Sequence, residues 1–182
     1  GRGDPDFHTP RHIVDAAKAA LDANQHHYTG PTGLPPLRTA IAENLTAEFG
    51  LDYTPDEIVV TAGVQESIML LMLGLCAPGD EVLITSPRFT TYDTAVHLCG
   101  GVPVPVPTYL KDDFALDPAE IEKRITDRTR MFVLVSPNNP TGAVTPPAVI
   151  RQIAELAIKH DILIVADEIY AKLIYAGHEH LS

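Results

Sequence analysis

The chain has 182 residues, enough for one α/β domain with a sizeable core, and its 45% apolar and 20% charged residues are typical of a soluble globular protein. A net charge of −11 argues against nucleic acid as a partner, because nucleic-acid phosphates require clustered Lys and Arg. No basic run suits a membrane surface, and the longest apolar run, residues 68–77, is about half of what a bilayer span needs.

The first part of the chain predicts helix rather than sheet. Residues 1–27 contain no strand pattern and are expected to form an N-terminal arm or a linking helix. Residues 35–50 predict a helix, because apolar side chains recur every four positions from Leu37 to Phe49 and Gly50 suits a C-terminal stop.

Five short runs rich in β-branched and aliphatic residues predict strands. They are EIVVT (57–61), EVLIT (81–85), VPVPV (102–106), MFVLV (131–135) and ILIVA (162–166). MFVLV and ILIVA are continuously apolar, as expected of strands that are covered on both faces. VPVPV predicts an edge strand or an extended segment, since proline cannot donate to a ladder.

Helical patterns lie between these strands. An apolar stripe from Ile68 to Leu75 follows the first strand, Asp117 suits the N-cap of a second helix, and a third pattern starts from Thr145. Strands that alternate with helices predict an α/β fold, a three-layer α/β/α sandwich with a mostly parallel sheet. We expect residues 1–27 to precede this domain and residues 28–182 to form part of it.

Ligands of open α/β sheets bind at the carboxyl ends of the strands. The run EIVVT is followed by Gly63, Val64 and Gln65 at a helix start, where free backbone N–H groups favour an anion. A plain strand-to-helix turn explains the same residues, because one glycine is much weaker evidence than a phosphate-loop motif.

Three other strands deliver an aromatic ring, an amide, a carboxylate and a phenol. Phe89 follows EVLIT, Asn139 follows MFVLV, and Asp167 and Tyr170 follow ILIVA at a spacing close to one helical turn. Phe89 taken alone suits packing, and Asn138 and Asn139 suit a turn. Asp167 differs, because a carboxylate at the end of an apolar strand is costly unless a cation or a hydrogen bond compensates it.

Together these groups describe a pocket for a flat, phosphorylated, cationic heteroaromatic ligand, and pyridoxal 5′-phosphate has that chemistry. The chain also resembles the N-terminal portion of a class I/II aminotransferase of fold-type I, a pyridoxal-phosphate-dependent family. Six blocks appear in the order that the family has: GDPDFHTP, YTGPTGLPPLR, VTAGVQES, APGDEVLITSPRF, VSPNNPTG and VADEIY.

The resemblance implies a role for each pocket residue. Asp167 would pair with the protonated pyridine nitrogen, and Asn139 and Tyr170 would hydrogen-bond the phenolic oxygen of the ring. Phe89 would stack on the ring, and the backbone at 63–65 would hold the phosphate.

The resemblance further implies a homodimer with shared sites. Tyr28 would reach the phosphate in the neighbouring subunit, and the backbone of Gly3 would lie against the substrate carboxylate. The expected reaction moves an amino group from an amino acid to a 2-oxo acid, in amino acid metabolism and biosynthesis, in the cytoplasm.

Two positions depart from the family pattern. Ser67 stands where alanine is usual, a change that a helix tolerates. Arg88 is a less common neighbour of the stacking aromatic; it either biases the pocket toward an anionic substrate or faces solvent, and we favour solvent.

The lysine that carries the cofactor in this family, in an S-x-x-K context beyond DEIY, has no counterpart in the chain. The chain is therefore expected to be a fragment of a longer enzyme and inactive by itself, or else a natural truncation kept for binding. The arginine that holds the substrate carboxylate would also lie downstream.

Other functions stay open at this point. A carbon–sulfur β-lyase has the same cofactor pocket, and a non-enzymatic regulator that senses the cofactor would need a DNA-binding module. A dinucleotide-binding dehydrogenase lacks its G-x-G-x-x-G turn. The histidine pairs at 26–27 and in HEH (178–180) suit solvated loops better than a metal site, and Cys76 and Cys99 suit reduced packing residues.

Overall fold

The computed structural model describes residue 3 and residues 6–182. The helices of this part are α1 (Arg11–Asp22), α2 (Pro35–Phe49), α3 (Val64–Leu75), α4 (Thr91–Leu98), α5 (Pro118–Glu122) and α6 (Pro147–His160). The strands are β1 (Glu81–Ser86), β2 (Val102–Pro107), β3 (Thr129–Val135) and β4 (Leu163–Asp167). Short 3₁₀ turns occupy Pro55–Glu57 and Leu110–Asp112.

The chain divides into two compact units, one with the described residues up to Thr46 and Asp52–Val60, the other with Ala47–Leu51 and Thr61–Ser182. The boundary after residue 27 that the sequence suggests stays a prediction. None of the helices in the described part of the chain has the length and apolar character of a membrane span.

The second unit is a three-layer α/β/α sandwich, which confirms the predicted fold class. Its four strands are all parallel, in the order β2-β1-β3-β4. Because side chains alternate across a strand, Ile84 and Val133 face the layer of α3 and α4, whereas Leu83 and Phe132 face the layer of α5 and α6. A separate apolar core therefore lies on each face of the sheet.

The proline-rich run forms β2 at one edge of the sheet, as predicted. The inner side of β2 pairs with β1, and the flanking backbone bonds run from Val102 N to Asp80 O and from Thr108 N to Ser86 O, each 2.8 Å. The three prolines of β2 alternate with the valines, so the missing N–H groups fall on the outer side of the strand.

The prediction of a strand at 57–61 is wrong. Glu57 ends a 3₁₀ turn and its carboxylate accepts from the backbone N–H of Thr54 (2.9 Å). The carbonyl of Ile58 accepts from Arg38 Nε (2.9 Å), and Val60 N donates to Thr32 O (3.0 Å). These backbone groups are bonded within the first unit and join no ladder.

Strand β4 is less covered than predicted. The continuously apolar run ILIVA suggested burial on both faces, but β4 is an edge of the four-stranded sheet and Leu163 is 40% exposed. Strand β3, in the interior of the sheet, is almost fully buried. The difference arises from position in the sheet, which the composition of a strand does not encode.

The helix starts agree with the sequence in one case and differ in another. Asp117 caps α5, and its side chain accepts from the backbone N–H of Ala119 (2.9 Å). Helix α6 begins one residue after Pro146, so Thr145 is not its N-cap; the Thr145 N–H donates instead to Ser136 Oγ (3.0 Å).

Candidate functional site

A pocket of about 390 Å³ lies at the carboxyl edge of the sheet, within the range of small-molecule sites. It brings together seven residues singled out from the sequence: Gly63, Val64, Gln65, Phe89, Asn139, Asp167 and Tyr170. Three strands contribute to it rather than the four predicted, because the segment before Gly63 is not a strand. The individual roles of these residues stay predictions.

Asp167 ends β4, and its carboxylate is held by two donors. The phenol of Tyr92 donates to Oδ2 (2.5 Å), and the backbone N–H of Ile169 donates to Oδ1 (3.1 Å). These bonds offset part of the cost of shielding a carboxylate from water. They also fix the orientation of the carboxylate in the pocket wall.

Tyr92 is a pocket residue that the sequence reasoning missed. It lies on α4 and its side chain is 2% exposed. Burial, followed by the hydrogen bond to Asp167, raises the pKa of Tyr92 far above its ordinary value, so the phenol stays protonated and acts as a donor. The sequence did contain one indication of this role. Tyr92 comes three residues after Phe89, so both rings lie close to the end of β1.

Asn139 and Tyr170 meet in the pocket, with 3.4 Å between the amide nitrogen and the phenol oxygen. The turn that presents Asn139 is held by Asn138. The side chain of Asn138 donates to Thr141 Oγ1 (3.0 Å) and to Pro87 O (3.3 Å), and its backbone N–H donates to Ala143 O (2.8 Å). One asparagine anchors the turn and its neighbour reaches the pocket.

The start of α3 forms the anion-binding part of the pocket. Gly63 has a φ of +95°, and no side chain of the described residues makes an N-cap hydrogen bond, although the carboxylate of Glu66 accepts from the backbone N–H of Ala62 just before the helix. The first N–H groups of an α-helix have no acceptor within the helix, and the helix dipole is positive there. Thr61 Oγ1 bonds Gly63 O (3.1 Å) and Ser67 Oγ (2.6 Å), so the unusual Ser67 helps to fix this turn. The arrangement suits a phosphate.

Phe89 contributes an aromatic ring to the pocket and is 39% exposed. The prediction that the neighbouring Arg88 faces solvent is wrong. Its side chain is 15% exposed, and its Nε and Nη2 donate to the two carboxylate oxygens of Asp93 at 2.8 and 2.5 Å. The paired charge of Asp93 compensates the burial of the guanidinium.

Tyr28 and Gly3 belong to the first unit, where both are exposed. Their expected roles toward a partner subunit and a substrate stay predictions.

Among the described residues no lysine lines the pocket. Four of the five lysines of the chain pair with acidic side chains: Lys111 with Asp112, Lys123 with Glu120, Lys159 with Glu122 and Lys172 with Glu48. In the same part of the chain, no group of three or more His, Cys, Asp or Glu side chains is arranged to hold a metal ion.

The chain belongs to the class I and II aminotransferase family, which it matches over residues 1–182. It is 44% identical to the aspartate/prephenate aminotransferase of Thermus thermophilus over 99% of this chain and 46% of that relative. It is 45% identical to a probable aspartate/prephenate aminotransferase of Thermus aquaticus over 96% of this chain and 46% of the relative.

Solved structures agree with this membership. An aspartate aminotransferase from Thermus thermophilus with maleate superposes with a TM-score of 0.97 at 44% identity, over 100% of this chain and 47% of that one. An aromatic aminotransferase from Pyrococcus horikoshii gives 0.97 at 43% identity, over 100% of this chain and 49% of that one. The chain thus spans about half the length of the relatives it matches.

Enzymes of this family use pyridoxal 5′-phosphate, and the groups in the pocket fit that cofactor. The carboxylate of Asp167 matches a ring-nitrogen cation, and the ring of Phe89 offers a flat apolar surface. The amide of Asn139 and the phenol of Tyr170 match a phenolic oxygen, and the uncapped start of α3 matches a phosphate.

Proposed function

We propose that this chain is the cofactor-binding part of a pyridoxal-phosphate-dependent aminotransferase, which moves an amino group from an amino acid to a 2-oxo acid. One observation carries the proposal: in a chain of this family, the carboxylate of Asp167 and the Asn139–Tyr170 pair line one pocket beside the uncapped start of α3. The activity is that of a protein containing this chain, and the 182 residues alone are expected not to catalyse it.

When bound, pyridoxal 5′-phosphate supplies an electron sink for the electron pair left after the amino acid loses its Cα proton. Asp167 would accept a hydrogen bond from the protonated ring nitrogen, and its negative charge would favour the positively charged form of the ring. Tyr92 and the Ile169 N–H hold the carboxylate in place for that contact.

The other pocket residues bind and orient. Asn139 and Tyr170 would hydrogen-bond the ring oxygen, and Phe89 would pack on the ring and exclude water from it. The N–H groups at Gly63, Val64 and Gln65 would bind the phosphate, and the dipole of α3 would favour its negative charge. Pocket shape and hydrogen bonds thus fix the ring before any reaction.

The finer parts of the proposal rest on the family pattern. We expect a homodimer with shared sites, in which Tyr28 reaches the phosphate of the neighbouring subunit and the backbone of Gly3 lies against the substrate carboxylate. A cytoplasmic location agrees with the two free cysteines, Cys76 and Cys99. The names of the relatives make aspartate the first amino donor to test.

The test uses the full-length protein loaded with pyridoxal 5′-phosphate, L-aspartate and 2-oxoglutarate. Glutamate formed only when both substrates are present supports the proposal. A parallel reaction contains L-cystathionine and no oxo acid; ammonia and pyruvate there, without transfer in the first reaction, would indicate a β-lyase. A protein that stays colourless with excess cofactor, and releases none on denaturation, contradicts both activities.

A further inference from the structure

We propose that the ion pair between Arg88 and Asp93 is a positioning device, which holds the aromatic wall of the pocket (Phe89 and Tyr92) in place for the cofactor. The proposal rests on the proposed function. It assigns a purpose to Arg88, a residue that departs from the family pattern and does not line the pocket itself.

The geometry of this pair is stronger than that of most surface ion pairs. Two nitrogens of Arg88 donate to two oxygens of Asp93, and the side chains are only 15% and 29% exposed. A bidentate pair in partial shelter is held more rigidly than an exposed pair. The hydrogen bonds from Arg88 lower the pKa of Asp93, so the carboxylate is charged at neutral pH.

The segment that the pair closes contains both aromatic residues of the pocket. Arg88 follows the end of β1 and Asp93 lies in the first turn of α4, with Phe89 and Tyr92 between them. Thr90 at the N-cap of α4 makes no hydrogen bond through its side chain to cap the helix. The ion pair therefore ties the start of α4 to the strand end, and it restrains the two rings together.

The same turn is joined to the loop that carries Asn139. The carbonyl of Pro87, which precedes Arg88, accepts from the Asn138 side chain (3.3 Å). Tyr92 in turn reaches Asp167 across the pocket. A loosened turn would therefore disturb contacts on the strands β3 and β4 as well as the stacking ring.

The ion pair with Asp93 also argues against a role for Arg88 in binding the substrate. Nε and Nη2 of its guanidinium donate to Asp93, whose carboxylate compensates the positive charge, and Arg88 does not line the pocket. Arg88 acts through the residues beside it.

The test is a double-mutant cycle in the full-length protein with Arg88→Gln, Asp93→Asn and both together. Cofactor-stripped protein is titrated with pyridoxal 5′-phosphate, and the visible circular dichroism per bound cofactor reports how the ring is held. Each single variant should bind the cofactor about five- to tenfold more weakly, with a reduced visible signal. The double variant should be no worse than either single variant within about twofold, because the pair acts as one unit.

Two further variants sharpen the result. Arg88→Lys keeps the positive charge but cannot make the bidentate pair. Its affinity for the cofactor should lie between those of wild type and Arg88→Gln. Arg124→Gln is the matched control, since it breaks a pair with Glu120 of similar exposure (27% and 28%) away from the pocket. It should bind the cofactor like wild type.

Wild-type affinity and visible signal in both single variants would overturn the proposal. So would an equal loss in Arg124→Gln, since the effect would then be one of general stability. If the unaltered protein binds no cofactor, the proposed function fails as well; if it binds and transfers but the variants are unaffected, only the positioning role fails.

Discussion

The phenol oxygen of Tyr92 lies 2.5 Å from Oδ2 of Asp167, although 75 residues separate the two in the chain. The bond joins helix α4 to the end of β4 across the pocket. Burial raises the pKa of Tyr92, so the protonated phenol donates and the carboxylate accepts. Oδ2 of Asp167 is therefore held by helix α4, and this bond also fixes the orientation of Oδ1.

Removing the hydroxyl of Tyr92 should slow catalysis without loss of packing in the core. In Tyr92→Phe the ring still packs, but Asp167 loses a hydrogen bond to a charged group, about 1.5–3 kcal/mol. We expect kcat/KM for amino transfer to fall by roughly ten- to a hundredfold. Tyr109→Phe, at an exposed tyrosine outside the pocket, is the control. Unchanged kcat/KM in Tyr92→Phe would show that the bond has no catalytic purpose.

Replacement of Asp167 by alanine should cost far more than loss of Tyr92. The variant Asp167→Ala removes the partner of the ring nitrogen, and turnover should drop by roughly a thousandfold or more, about 4 kcal/mol in the barrier. The fold should survive, because Asp167 contributes little core volume. Steady-state turnover and the melting temperature are the measurements. Near-normal turnover would contradict the role assigned to Asp167.

Gly63 offers a test of the anion site with a well-matched control. Gly63 (φ +95°) and Gly79 (φ +91°) both have a positive φ that disfavours other residues, and at neither would an added Cβ meet an atom within 4 Å. Alanine at either position should cost about 1–3 kcal/mol through backbone strain alone.

Only Gly63→Ala should also weaken binding of the cofactor and of inorganic phosphate, by roughly tenfold, because the strain turns N–H groups of the phosphate site. Thermal unfolding measures the destabilisation of each alanine variant. Titration measures the affinity of each variant for the cofactor and for inorganic phosphate. An equal loss of affinity in Gly79→Ala would remove the evidence for a phosphate site at α3.

Glu81 should make stability depend on acid pH. Its carboxylate accepts from Thr126 Oγ1 (2.5 Å) and from Arg128 Nη2 (2.6 Å), and these bonds, the one from Thr126 first, lower its pKa below the ordinary 4.5. A carboxyl whose pKa is lower in the folded state stabilises the fold above its unfolded pKa, and loses that effect as the pH falls through the folded pKa.

Glu81→Gln should therefore melt at a lower temperature than wild type at pH 7, and the difference should shrink from about pH 5 to pH 3. Glu155→Gln, at an exposed position on α6, should follow the wild-type curve throughout. A constant gap between Glu81→Gln and wild type at every pH would rule out the charged form as the cause.

The sheet and most of the pocket could be predicted from local patterns. Runs of β-branched residues marked β1, β3 and β4, and the parallel topology placed Phe89, Asn139 and Asp167 at one edge. That step worked because the carboxyl ends of parallel strands must meet at the same side of a sheet.

What the sequence could not supply were features that depend on neighbours distant in the chain. The apolar run before Gly63 looked like a strand, but its backbone is bonded by Arg38 and Thr32 instead. Helix α4 was not predicted, since Thr91–Leu98 is short and mixed in character. Tyr92 consequently went unnoticed, because its importance comes from a contact with Asp167 that no local pattern encodes.

The alternation of valine and proline in β2 limits how the molecule can meet other chains. With Pro103, Pro105 and Pro107 turned outward, that side of the strand exposes carbonyls but lacks the donors that an incoming backbone would require. Another polypeptide cannot complete a ladder there, whether by swapping or by fibril growth. The opposite edge of the sheet that the structure describes is β4, which ends at Asp167 and contains no proline.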